Sequence, residues 1–429
     1  MIKRIREWMH GRGRAVVIFI VAVASLCLVI DFYRGKNDYL ATDEPNPTVS
    51  PKTPQEEYIG GDKLAPASEA GVSSEGSVSP GASASPEASV SPEGSAAPNQ
   101  AETHGAAGEK TGLSDIRLGF AGDICLDDSS AVMRHMRKKG GLDKVISPSL
   151  IKKMKTYDAM VINNEFSVST RGKKMRGKAY TFRSRPSNLK YLKQLGVDVT
   201  GLANNHCYDY GRTAFLDTLR HLKTAGFQTV GAGEDIREAR KPVYLDIKGK
   251  TVAVVAATRA EKNIFTPAAG KNSPGVFRTY DDSAYVKEIR KAKKKADYVI
   301  AYVHWGTEYS TDLEEAQRSQ AKDYIDAGAD AVVGAHTHCM QGIGYYKGVP
   351  IFYSLGNFWF NEKTLYTTVL EITIDSGGRL KAKMVPCLQK GMETRVLRDR
   401  AQIKKFVEHI NSISASGRLD GACNVMKKR

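Results

Sequence analysis

Five apolar runs in this chain end alike, and that repetition limits the folds open to it. The clearest occupies residues 197–202 and stops abruptly in Ala203-Asn204-Asn205-His206. Residues 118–121 lead into Gly122-Asp123, and 160–162 into Asn164-Glu165. Residues 299–303 end in His304, and 331–335 in His336-Thr337-His338. Short apolar runs of this kind read as buried strands, and open α/β sheets keep their sites at the carboxyl ends of strands. Five strands that each bring Asp, Glu, Asn or His to one rim form a metal-site pattern.

The segments between these strands have a helical period. Helices are expected over residues 149–157, 187–195 (with Ser187 as its cap), 212–225, 282–295 and 314–327, with Gly226 and Gly328 as stops. Further strands are expected at 229–232, 251–257 and 349–353. A hairpin over 367–374 and 380–387 turns at Asp375-Ser376-Gly377-Gly378. Alternating strands and helices imply a mainly parallel sheet covered by helices, and the late hairpin suggests a second, mixed sheet packed on the first.

The first 112 residues have a different composition. Residues 1–14 are basic (Lys3, Arg4, Arg6, Arg12 and Arg14 against Glu7), and residues 15–30 carry no charge until Asp31. The uncharged run is slightly shorter than the ~20 residues that span a bilayer. It reads as an uncleaved, single-pass signal anchor at 15–31, with a cleavable signal peptide as the alternative. The basic tail at 1–14 should stay in the cytoplasm, placing everything beyond residue 31 outside the membrane of a bacterial cell. Residues 32–112 have no aromatic side chain between Tyr58 and Phe120, and they repeat Ser-Pro-Gly-Ala-Ser, Ser-Pro-Glu-Ala-Ser and Ser-Pro-Glu-Gly-Ser loosely. Such a segment buries too little apolar surface to order itself, and it reads as a disordered linker. A folded domain is expected at 113–395, and a helical extension at 396–429.

The formal net charge is +16. Residues 1–14 sum to +4, residues 15–40 to zero and residues 41–112 to −8 (three basic, eleven acidic), which leaves +20 on 113–429. The densest basic stretch, 171–193, has nine Lys or Arg and no acid, Arg183 and Arg185 among them. A basic exported domain attracts polyanions. Outside the cell these are teichoic acid, anionic lipid, phosphate or polyglutamate rather than nucleic acid, and the bland reading is a solvated basic face. Of the six cysteines, Cys125, Cys207 and Cys339 each lie within two residues of a candidate ligand. They read as ligands, as a disulfide with a free thiol, or as apolar filler.

Asp, Glu, Asn and His together suit two divalent ions of the Mn, Fe or Zn kind. Asp123 or Glu165 can bridge two ions, with Asn205, His304, His336 and His338 filling the remaining positions. His206, beside Asn205, is free to protonate a leaving group, and Asp209 either orients His206 or caps the next helix. Glu308, Asn357, Arg183 and Arg185 are candidate substrate contacts.

At the level of motifs the resemblance is specific. Gly122-Asp123, Asn164-x-Phe166, Ala203-Asn204-Asn205-His206-x-x-Asp209-Tyr210-Gly211, His304-Trp305-Gly306-x-Glu308-Tyr309, Gly334-Ala335-His336-Thr337-His338 and Tyr353-Ser354-Leu355-Gly356-Asn357-Phe358 occur in that order. Together they resemble the bacterial capsule-synthesis CapA (poly-γ-glutamate, PGA_cap) family, within the calcineurin-like metallophosphoesterases. The resemblance implies a four-layer α/β/β/α sandwich with a two-metal site. It implies Asp123 and His338 on one ion, Asn205, His304 and His336 on the other, Glu165 between them, and His206 as proton donor. Two positions depart from the superfamily pattern. Cys125 stands where a histidine is usual, and Asn164-Glu165 stands where Gly-Asp is usual. The function implied is capsule or poly-γ-glutamate synthesis or export beside other capsule-synthesis membrane proteins. The alternatives are a surface phosphoesterase and a non-catalytic polymer-binding module.

Overall fold

The computed structural model describes residues 114–261 and 263–428. The anchor and linker expected at 15–31 and 32–112 lie outside the described residues. Among those described, no helix is long and apolar enough to cross a membrane.

Two sheets carry the architecture. Their strands are, in chain order, β1 (Ile116–Ile124), β2 (Ala159–Asn164), β3 (Val199–Gly201), β4 (Gln228–Val230), β5 (Val243–Ile247), β6 (Lys250–Thr258), β7 (Tyr298–His304), β8 (Ala331–Ala335), β9 (Ile343–Tyr346), β10 (Val349–Phe352), β11 (Asn357–Trp359), β12 (Leu365–Ile374), β13 (Leu380–Lys390) and β14 (Glu393–Val396). The eight-stranded sheet runs β14-β13-β12-β1-β2-β3-β4, with β11 paired to the end of β1. The six-stranded sheet runs β9-β10-β8-β7-β6-β5. Within them β1-β2-β3-β4 and β6-β7-β8-β10 are parallel.

Side-chain parity sorts these strands into layers. On β1, Leu118 and Phe120 enter the core between the sheets with Val161, Val254, Ile300, Tyr302 and Val333. Ala121 and Ile124 face the other way, onto Met133 and Met136 of helix Ala131–Lys139 and Phe215 and Leu222 of helix Gly211–Thr224. The outer face of the six-stranded sheet, with Val255, Val299 and Val303, packs on Tyr285 and Ile289 of helix Ser283–Lys293 and on Tyr324 of helix Glu315–Asp326. Strands buried on both faces carry continuous apolar runs, which is why they stand out in the sequence. Local signals start the helices: Ser130 accepts from the Met133 amide, and Glu314 with Gln317 forms a capping box.

The hairpin expected to open a second sheet does not do so. β12 and β13 extend the first sheet, because β12 pairs antiparallel with β1 from Ile116 to Ala121. The second sheet is built around β7, which ends in His304, and β8, which ends just before His336. Residues 396–429, read as a helical extension, hold helix Arg400–Ile413 and a short hairpin of Gly417–Leu419 and Val425–Lys427. They bury Phe406, Ile410, Leu419 and Cys423 in the core between the sheets.

Two glycines let the loop between β10 and β11 pass close to β1 and β8 at the rim. A Cβ on Gly122 would lie 1.8 Å from the Gly356 carbonyl oxygen, and one on Gly334 would lie 1.9 Å from that of Tyr353. Gly122 immediately precedes Asp123 and Gly334 stands two residues before His336, so close backbone approach and site position are set together.

Candidate metal centre

Strand ends from both sheets meet at one rim. β1 delivers Asp123, the end of β2 Glu165, the loop after β3 Asn205 and His206, β7 His304, and the turn after β8 His336 and His338. All are buried, none more than 7 % exposed. Glu165 Oε1 lies 3.9 Å from His304 Nε2, 3.9 Å from His338 Nε2 and 4.0 Å from His206 Nε2. That oxygen has no hydrogen-bond partner, and neither has His336 Nδ1. His304 Nε2 is 2.8 Å from Asn205 Oδ1, close to the ~3 Å that separates neighbouring ligand atoms when each bond to a metal is near 2.1 Å.

Two overlapping groups have ligand atoms within 4.8 Å of one another: Glu165, His304 and His336, and Asp123, Glu165 and His338. Buried polar atoms are ordinarily hydrogen-bonded, so an orphaned carboxylate oxygen ringed by imidazole nitrogens fits a divalent cation. The donors are nitrogen and oxygen without sulfur. Glu165 belongs to both groups.

The electrostatics agree with that fit. Burial, then the neighbouring charges of Asp123 and Glu308, push the Glu165 carboxyl well above its ordinary range. Burial, then the other histidines, hold His304 and His336 well below theirs, so both are neutral and ready to ligate. At His338 burial pulls downward, but a hydrogen bond and charge from Asp123 outweigh it and the shift is upward.

At the centre of the cluster is Asn163, absent from the sequence reading. Its Nδ2 donates to Asp123 Oδ1 (2.7 Å) and Glu165 Oε2 (2.9 Å) and lies 3.2 Å from His304 Nδ1. Asn204 Nδ2 in turn donates to Asn163 Oδ1 at 2.9 Å. The signal was available: in a strand of period two, Asn163 and Glu165 share a face and Asn164 takes the other. Asn164 accordingly turns away, donating to the Phe166 carbonyl.

Asp209 orients His206, its Oδ2 lying 2.7 Å from Nδ1, while the following helix, Gly211–Thr224, has Tyr210 at its N-cap and no side-chain cap. Burial lowers the His206 pKa, partly offset by Asp209. The other Asp209 oxygen meets Lys178 Nζ at 2.8 Å. Lys178 lies inside the basic stretch read as a solvated face, yet its side chain is 4 % exposed, and it also donates to the Asn205 carbonyl.

The candidate substrate contacts are placed differently. Arg185 is bound to Asp128 (3.0 Å). Arg183 donates to the Arg171 carbonyl and lies 4.0 Å over the Tyr210 ring. Neither guanidinium is bonded to the cluster. Asn357 is buried, and its Oδ1 meets His338 Nδ1 at 2.8 Å, so it orients that ring. Glu308 is exposed near the cluster. Cys125 and Cys207 are buried in the apolar core beneath the rim, all five described cysteines are free, and none joins the candidate metal groups. Cys125 and Cys207 thus act as apolar filler. Sequence reasoning also missed an aromatic wall: Phe182 packs on His206 (4.4 Å between centroids) and Phe360, and Phe360 packs on His338 (4.4 Å).

Comparison with known proteins places this rim in context. The chain is 32% identical to the PGA biosynthesis protein CapA of Bacillus subtilis over 246 residues, 56% of this chain and 64% of that protein. It is 34% identical to the capsule biosynthesis protein CapA of Bacillus anthracis over 293 residues, 64% of this chain and 68% of that one. The match thus spans slightly less than two thirds of the first relative. Among solved structures, the NAD nucleotidase of Haemophilus influenzae aligns with a TM-score of 0.40 and 11% identity, over 70% of this chain and 63% of that one. The family profile described as bacterial capsule synthesis protein PGA_cap matches residues 117–362, every candidate ligand included. This chain belongs to the bacterial capsule synthesis protein PGA_cap family.

Proposed function

We propose that this chain acts outside the cytoplasmic membrane in the synthesis or export of capsule poly-γ-glutamate, using divalent ions to handle the anionic polymer. The observation that carries the reading is the orphaned Glu165 oxygen with three imidazole nitrogens about 4 Å away. The names of the two Bacillus relatives and the +20 charge of residues 113–429 support an anionic client. The uncharged run at 15–30 supports a single-pass anchor.

Asp123, Glu165, Asn205, His304, His336 and His338 would hold two ions, with Glu165 shared. Such ions supply Lewis acidity toward a carboxylate or phosphoryl oxygen. The chain's own groups do the rest. Asn163 fixes one oxygen of Asp123 and one of Glu165, leaving Glu165 Oε1 without a hydrogen-bond partner. With Nδ1–H donated to Asp209, neutral His206 presents the lone pair of Nε2 to the same space, where it can take a proton and return it to a leaving oxygen.

A surface phosphoesterase is the second reading, favoured by that His206–Asp209 pair. The test is the full-length chain loaded with Mn²⁺, titrated calorimetrically with poly-γ-glutamate and assayed on a generic phosphodiester. Binding without turnover, together with loss of surface polymer in a His336→Ala strain, supports the capsule role. Turnover abolished in His206→Ala at unchanged metal content supports the phosphoesterase. Binding with surface polymer intact in the His336→Ala strain leaves a polymer-binding module.

A further inference from the structure

Beside the metal centre, two neighbouring side chains stay open to solvent, Tyr309 and Lys363. Tyr309 follows β7 on the loop after His304, and its ring centroid lies 5.5 Å from that of His338. The residue is 41 % exposed, and its backbone is left-handed (φ 58°). A left-handed, exposed aromatic residue costs stability on both counts unless something holds it. Two bonds do so here: its amide donates to the Thr337 carbonyl (2.7 Å), between the two histidines, and its hydroxyl accepts from Asn361 Nδ2 (3.1 Å). The ring is thus fixed as one wall of the opening.

Above that ring sits Lys363. Its Nζ is 3.3 Å from the ring centroid, the side chain is exposed, and no carboxylate among the described residues pairs with it. Most cations at this rim are already engaged: Lys178 by Asp209, Arg185 by Asp128, and Arg183 by backbone carbonyls. Lys363 is held in place by a ring face, which leaves its charge available to a ligand. Glu308, the residue before Tyr309, is exposed. Tyr180, 70 % exposed, is close enough to be felt electrostatically by Tyr309 and extends the aromatic edge.

We propose that Tyr309 and Lys363 form the subsite that receives the polymer unit next to the metal centre, the ring carrying its methylenes and the ammonium its carboxylate. This rests on the poly-γ-glutamate reading above. A γ-glutamyl unit has the matching chemistry, an apolar two-methylene stretch in the backbone and one carboxylate beside it. A rigid ring with a charge fixed over its face binds such a unit at little entropic cost.

The experiment is calorimetric titration of the Mn²⁺-loaded, full-length chain with a short γ-glutamyl oligomer, with bound manganese measured in each sample. Lys363→Gln should weaken binding about fivefold and reduce its salt dependence. Tyr309→Ala should weaken it about tenfold. Lys363→Arg and Tyr309→Phe, which keep the charge and the ring, should stay near the unsubstituted chain, and manganese content should not change. Oligomer binding that is the same in Lys363→Gln and Tyr309→Ala as in the unsubstituted chain overturns this subsite and leaves the function standing. No oligomer binding by the unsubstituted chain overturns both.

Discussion

Replacing Lys178 with methionine tests whether the rim depends on one buried charge. The ammonium pairs with Asp209 Oδ1 at 2.8 Å, both side chains being at most 4 % exposed. That oxygen has no hydrogen-bond partner besides this ion pair, whereas Oδ2 keeps His206 Nδ1 and the Phe182 amide. Removing one member of a buried pair costs roughly 3–5 kcal/mol, because the other is left uncompensated. With half of the Asp209 carboxylate still satisfied, the low end applies, about 3 kcal/mol. A domain this large loses roughly 2 °C of melting temperature per kcal/mol, which gives a fall of about 6 °C. The assay is thermal melting of the full-length chain in mild detergent with metal chelated, so that ion binding does not mask the change. Lys178→Met with Asp209→Asn should recover at least half of the loss, since no buried charge is then unpaired. Trypsin should also cut faster after the exposed Lys173, Lys174 and Arg176 once the clamp is gone. A single variant melting within about 1 °C of the unsubstituted chain, with the loop no easier to cut, refutes the reasoning.

Three further outcomes follow from the cluster. Glu165→Gln should stabilise the metal-free chain at pH 8 while abolishing ion retention. The raised carboxyl pKa means that the folded state binds a proton that the unfolded state releases above 4.5. The unsubstituted chain therefore loses up to about 1.4 kcal/mol per pH unit above that value until the buried group itself ionises, and the advantage of the variant should vanish near pH 4.5 in pH-resolved melts. Asn163→Asp replaces the donor shared by Asp123 and Glu165 with a third charge, costing about 3 kcal/mol without metal. Added Mn²⁺ should raise its melting temperature more than that of the unsubstituted chain. Gly122→Ala drives a methyl group into the Gly356 carbonyl oxygen at 1.8 Å, and soluble yield should collapse.

The apolar strands and the ligands that end them were legible because burial on both faces writes an unbroken apolar run, and a polar residue after such a run is conspicuous. What those runs do not encode is which sheet a strand joins. β12 and β13 read correctly as a hairpin, but their place beside β1 is fixed by a register more than two hundred residues away in sequence, Ile116 against Ile374. The same distance effect hid Lys178: nine basic residues between 171 and 193 look alike until Asp209 selects one to turn inward. Asn163 was hidden for a different reason. The strand-end reading took the last polar pair, Asn164 and Glu165, where parity joins Glu165 to the residue before that pair.

Backbone strain at the rim has no sequence signature, and it explains why so much surrounding structure is committed to so few side chains. His336 (φ 99°), His338 (φ 56°), Tyr309 (φ 58°) and Glu261 (φ 68°), all on loops at or next to the rim, have left-handed backbones. Each such residue costs roughly 1–3 kcal/mol, and such residues persist only where neighbours over-determine them. Here the neighbours are identifiable. Asp123 accepts the His336 amide (3.3 Å to Oδ2), Asn357 holds the His338 ring, and the Thr337 carbonyl takes the Tyr309 amide. Asp123 and Asn357 are themselves aligned across the β1–β11 pairing. Strain at the histidines is thus balanced by a strand pair of the other sheet, and the site forms only when both sheets are in place. An isolated half of the domain should therefore bind no metal, however many ligands it retains.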